Sequence, residues 1–213
     1  MLTEGSIKEI KSGKAFKIIQ KFIESPLLWG IHVDNKSPYS SIRDLKGKTV
    51  AISRYNSGSH LMTYVLAERE NWDLKTLKFK VCHHLNGAIE ALKCNEADYL
   101  LWERFTTKPY VDDKILRHLG DCPTPWPCFV IVAKDDFYKR HQKEVDKVLS
   151  VLNRETKSLK NNKQLSKILS RNYKLNKNDV DLWLDQTEWS QEPLKLKEEE
   201  VVRQKLINFG IIS

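Results

Sequence analysis

The chain has 213 residues, 40% hydrophobic and 30% charged, with a net charge of +8 and a pI near 9.2. That is ample length for a buried core and too apolar a composition for a disordered chain. No stretch approaches the roughly 20 apolar residues of a membrane-spanning helix, and the opening MLTEGSIKEIKSGK lacks the apolar centre of a signal peptide.

As written, the chain is therefore expected in the cytoplasm, with a periplasmic or secreted location if a longer form exists. Cys82, Cys94, Cys122 and Cys128 form no CxxC pair and no dense framework, so reduced thiols are expected. The lysines are scattered, with no basic patch interleaved with aromatics. The excess charge reads as solvated surface; neither nucleic acid nor membrane insertion is expected.

In chain order, residues 3–14 read as a short helix with Thr3 as cap, Ser6 as the alternative, and Gly13 as stop. Residues 15–23 and 27–33 are two β-type runs around the breaker Ser25-Pro26. The turn-rich residues 34–41 read as a crossing between lobes. Residues 48–83 then give strand, helix and strand, the size of a right-handed βαβ unit. Asn86 reads as the cap of a helix over residues 87–94, followed by the strand DYLLW and a polar segment, ERFTTKPYVDDK, up to Ile115-Leu116. The three prolines of residues 121–127 suggest a second crossing, and CFVIVA a strand back in the first lobe. Beyond it the spacing of apolar residues predicts helices to the end, on stripes such as Val145, Val148, Leu149 and Leu152.

The chain centres on DLKGKTVAISRYNSGSHL, residues 44–61. The apolar run Val50-Ala51-Ile52 is followed by a polar turn, and a helical pattern opens at His60 and Leu61. Strand, tight turn and helix aim backbone N–H groups and a positive helix end at a ligand. The turn is neither GxxxxGK[ST] nor GxGxxG, so nothing in it demands a nucleotide. The alternative is an ordinary strand-to-helix turn with a serine cap. Cys82-His83-His84 does not make a metal site by spacing, since adjacent strand residues point to opposite sides.

The order of motifs resembles the type II periplasmic-binding-protein family, in particular substrate-binding proteins of ABC transporters for nitrate, sulfonate and thiamine-precursor ligands. The likeness is carried by LTEG at 2–5, SPLLWGIHV at 25–33, DLKGKTVAISRYNSGSH at 44–60, GAIEALKCNEADYLLWERFTTKP at 87–109, DCPTPWPCFVIVAKDDF at 121–137 and QTEWSQ at 186–191. It implies an α/β fold of two lobes, residues 1–35 with 125–213 and residues 36–124, with C-terminal helices and a small ligand clamped between the lobes by a hinge motion. Family members begin with a strand, a helix and a strand before the LTEG position, so the first lobe is expected to be truncated at the N-terminus. A second departure is Asn56, where the family often has glycine; asparagine tolerates left-handed backbone.

By position, the resemblance puts the ligand's anionic or polar head on Ser57, Gly58, Ser59 and His60, with Arg54 adding charge. Trp102, at a strand's carboxyl end, suits stacking on a flat ring or core packing, and Glu103 suits accepting from amino groups or a surface ion pair. Thr106 assists, Trp126 lines the cleft or packs the hinge, and Thr3 and Glu4 line the first lobe. No cofactor or metal is expected.

The leading expectation is a binding protein with no chemistry of its own, serving a membrane transporter if a longer secreted form exists. The alternative is an enzyme on the same fold, related to thiamine-pyrimidine precursor synthesis. The fungal synthases that resemble this group carry near-consecutive cysteines for iron, a pattern the four cysteines here do not form. Ser59-His60 are helix neighbours that do not face each other, which argues against a nucleophile and its base.

Overall fold

The structure, a computed structural model, describes residues 1–159 and 161–212. The chain divides into two units: Met1–Pro26 with Pro125–Ser213, and Leu27–Thr124.

In the second unit, β2 (Leu28–Asp34), β3 (Thr49–Ile52), β4 (Lys78–Val81), β5 (Tyr99–Glu103) and β6 (Leu116–Pro123) form one mixed sheet in the order β4-β3-β5-β2-β6. β3 runs parallel to β4 and β5, while β2 is antiparallel to β5 and β6. Helix α2 (Gly58–Arg69) connects β3 to β4, completing the βαβ unit that the sequence predicts. Val50, Ala51 and Ile52 are all buried because helices cover both faces of the sheet, which is why the run is continuously apolar rather than alternating. On one face Trp29 of β2 meets the start of α2. On the other, α3 (Leu85–Lys93) packs Ala88, Ile89, Ala91 and Leu92 around Ala51, Leu100 and Leu116.

Four expectations need correction here. Residues 28–34 belong to this unit rather than to the first lobe, because β2 hydrogen-bonds to both β5 and β6. For the same reason residues 34–41 are a loop inside the unit and no crossing; the unit boundary falls at Pro26, beside the Ser25-Pro26 breaker. The polar segment after β5 is a helix, α4 (Arg104–Asp112), with Pro109 inside it. The cap of α3 is His84, whose Nδ1 accepts from the Gly87 amide at 3.0 Å, and not Asn86.

In the first unit, β1 (Phe16–Ile23) and β7 (Phe129–Lys134) pair antiparallel. The outer edge of β1 is covered by residues 188–192: Ser190 N donates to Phe22 O at 3.0 Å and Lys21 N to Glu192 O at 2.8 Å. Helix α1 (Thr3–Lys11) packs on the C-terminal α9 (Leu196–Asn208). Its N-cap is Leu2 rather than Thr3, whose hydroxyl is engaged elsewhere. Lys21, 2% exposed, is neutralised by Glu24 at 2.8 Å and Glu198 at 3.0 Å. Between β7 and α9 lie α5 (Asp135–Arg140), α6 (Gln142–Leu159), α7 (Leu165–Tyr173) and α8 (Lys177–Gln186). In α6 only Thr156 is buried, and Val148, Val151 and Leu152 stand exposed. No helix among the described residues is long and apolar enough to cross a membrane.

Candidate functional site

The turn from β3 into α2 is built by its own side chains. Ser57 is the N-cap, its Oγ accepting from the His60 amide at 3.4 Å. Ser59 Oγ accepts from the Ser53 amide at 3.0 Å and shares a hydrogen bond with Ser57 Oγ at 3.1 Å. Both serines are buried, so their hydroxyls hold the loop in shape. Asn56 takes the left-handed conformation, φ 61°, as its residue type permits. The amides of Gly58 and Ser59, the first two of the helix, have no acceptor among the described residues. They stand at the positive end of the α2 dipole. Arg54 is exposed at the same turn, its carbonyl accepting from the Ser57 amide.

Gly58 is required by close approach. A Cβ there would lie 2.6 Å from Cη2 of Trp29, whose ring packs over the turn. The Trp29 indole N–H is buried without an acceptor among the described residues. Trp29 is the residue that sequence reasoning passed over; the Trp-Gly pair inside SPLLWG was the available signal. His60 packs at the back of the same turn. Its Nδ1 accepts from the Asn56 amide at 3.1 Å, and its ring makes edge contacts with Tyr55, Tyr64 and Phe79 at centroid distances of 5.2, 5.0 and 4.6 Å. Burial lowers its pKa, which favours the neutral imidazole among these rings.

Glu103 and Thr106 come together as the cap of α4. Glu103 accepts from the amides of Phe105 at 3.0 Å and Thr106 at 2.7 Å, and from the Thr106 hydroxyl at 2.6 Å. Trp102, one residue earlier, packs against the core that includes residues of α3, β3 and β5, as do Tyr110 and Val111 of α4. Nearby, His32 Nε2 meets Thr107 Oγ1 at 3.0 Å, and Asp121 is held by His118 and Arg104, each at 2.8 Å. Burial first, and then the neighbouring His118, push the His32 pKa down to about 4. Burial alone would raise the Asp121 carboxyl, but the His118 hydrogen bond and the charges of His118 and Arg104 outweigh it and leave the pKa lowered.

In the first unit, Thr3, Glu4 and Trp126 form one buried group. Thr3 Oγ1 donates to Pro127 O at 2.6 Å and Trp126 Nε1 to Glu4 Oε2 at 2.9 Å. Burial raises the Glu4 carboxyl above the ordinary range, against the opposing pull of its own amide and the indole. Among the described residues no cluster of three or more His, Cys, Asp or Glu side chains offers a metal site.

A model of the Ca3427-like PBP family matches residues 29–122, which lie inside the second unit. Among solved structures, the chain is similar to the Candida albicans CA3427 gene product, described as having the generic periplasmic binding protein fold, at 20% identity and a TM-score of 0.85. That match covers 100% of this chain and 72% of that one. It is also similar to the alkanesulfonate-binding protein SsuA from Xanthomonas axonopodis pv. citri bound to MOPS: 15% identity, TM-score 0.80, 100% of this chain and 75% of that one. The aliphatic sulphonate binding protein SsuA from Escherichia coli gives 16% identity, a TM-score of 0.72, and coverage of 100% and 70%. No protein of curated function matches the chain by sequence.

Proposed function

Starting from a chain that has the periplasmic-binding-protein fold, we propose that it binds a small polar or anionic organic solute and carries out no chemistry on it. The contacts come from the first turn of α2. The observation that carries this reading is the pair of unpaired amides at Gly58 and Ser59, at a helix start and beside an exposed arginine. Hydrogen bonds to a charged group are worth about 1.5–3 kcal/mol each. A few of them, with apolar contact, reach the roughly 8 kcal/mol of micromolar binding. Sulfonates are the first probe class, since two similar structures belong to proteins named for binding them. For a secreted form of the chain, this reading implies a membrane transporter as partner.

A thermal-shift panel of small sulfonates, carboxylates and aminopyrimidines tests the proposal. A solute at 100 times its Kd should stabilise the folded chain by about 2.7 kcal/mol. A flat response across the panel from a well-folded sample overturns it. Turnover of any probe, or iron copurifying in stoichiometric amount, would favour the enzyme alternative related to thiamine-pyrimidine synthesis.

A further inference from the structure

Lysines occur along the whole chain, but acids avoid one stretch of it. Residues 154–177 hold eight Lys or Arg and a single acid, Glu155, a net +7 against +8 for all 213 residues. They run through the end of α6, all of α7 and the first residue of α8. Lys167 and Arg171, four apart, share one face of α7, with Lys163 and Lys174 just beyond its two ends. At the margins of the stretch Arg154 pairs with Glu155 and Lys177 with Asp181. The four at its centre are exposed and pair with no acid among the described residues. The helices that carry this charge hold little of their surface against the fold: α6, α7 and α8 each bury one residue, Thr156, Ser166 and Val180. Apolar side chains stand in solvent beside the charge. Ile168, next to Lys167, is 39% exposed, Tyr173 at the end of α7 is 69% exposed, and Trp183 on α8, which packs against α7, is 38% exposed.

We propose that α7, with its flanking residues and α8, docks on an anionic membrane surface and lies there without entering the hydrocarbon core. Clusters of about four to eight Lys or Arg on a helix with an apolar side are the footprint of anionic-lipid recognition. Charge alone suits any polyanion, nucleic acid included, and the apolar residues favour the bilayer. Ile168 and Trp183 gain by entering the boundary between headgroups and acyl chains, and tyrosine and tryptophan settle at that level. Against a phosphate backbone Ile168 gains nothing, and these few aromatics give no run on which successive bases could stack. The docking is independent of solute binding, which belongs to α2.

Co-sedimentation of the full chain with phosphatidylcholine vesicles, with and without phosphatidylserine, tests this. The chain should pellet with the phosphatidylserine vesicles, stay in solution with the neutral ones, and be released as salt rises. Lys163→Glu, Lys167→Glu, Arg171→Glu and Lys174→Glu combined should weaken binding at least about a hundredfold, the joint contribution of four basic groups at such a surface. Glutamine at the same positions serves if the reversed chain fails to fold. Lys36→Glu, Arg43→Glu, Lys46→Glu and Lys75→Glu combined, at exposed positions elsewhere, change the net charge equally and should cost far less. Ile168→Ser with Trp183→Ser, which leaves the charge alone, should weaken binding about tenfold. Equal pelleting with both vesicle types, pelleting with neither, or a control reversal as damaging as that on α7 overturns the inference. Tighter binding of an oligonucleotide, lost with the same four basic residues and kept in the apolar variant, assigns the surface to nucleic acid and overturns it too.

Discussion

Gly58 and His32 show how single positions constrain this chain. With Trp29 Cη2 at 2.6 Å from any added Cβ, Gly58→Ala must displace a buried indole. We expect a loss of about 1–3 kcal/mol, the usual range for overpacking, read as a lower denaturant midpoint; an unchanged midpoint would contradict the packing. Ser59→Ala should also destabilise, since the hydroxyl holds the Ser53 amide; it is therefore a poor probe of binding, contrary to what sequence position alone suggests. His32, faced by His118, Asp121, Arg104 and Thr107, has a folded pKa of about 4 against 6.5 when free. The folded chain thus binds fewer protons than the unfolded chain between these values. Its contribution is complete above pH 6.5 and falls away toward pH 4, by up to about 3 kcal/mol. Urea unfolding at pH 7 and pH 5 should show the loss, and His32→Gln should flatten it. Glu4 acts with the opposite sign. Its folded pKa is raised, so stability declines as pH rises above 4.5, and Glu4→Gln should remove that decline.

At the level of elements, β3, its turn and α2 were legible because periodicity changes sharply at Ser53 and an asparagine stands where left-handed backbone is needed. Helix α4 was not legible. It buries only Thr107, carries Pro109, and shows too few apolar positions to mark a helical face. Its start was hidden for another reason: Glu103 is both the last residue of β5 and the cap, a role more often taken by Ser, Thr, Asp or Asn. Glu103 thus has a capping role in the fold. We expect Glu103→Ala to lower stability by about 1–2 kcal/mol, as for the loss of a good cap, with solute affinity unchanged in calorimetric titration. A large loss of affinity with stability intact would return Glu103 to the binding role that its position first suggested. Thr3, Glu4 and Trp126 could be named from the sequence by resemblance, but not the Trp126–Glu4 and Thr3–Pro127 hydrogen bonds, which join residues more than 120 positions apart.

For the molecule as a whole, the two units differ in how much each buries. The second packs a five-stranded sheet under helices on both faces, while the first has two paired strands. In the first unit, α6, α7 and α8 each bury one residue, Thr156, Ser166 and Val180. Local stability follows buried apolar contact. Amides of α6–α8 should therefore exchange with solvent faster than those of β3 and β5, and uniform protection across both units would contradict this. The central claim is that the start of α2 is where a solute is held. Its most direct test is to follow the backbone amide resonances of Gly58 and Ser59 by NMR while 2-aminoethanesulfonate is added. The account predicts that these two amides shift saturably and together. If a ligand of the panel binds while both amides stay in place, the site lies elsewhere and the account is wrong.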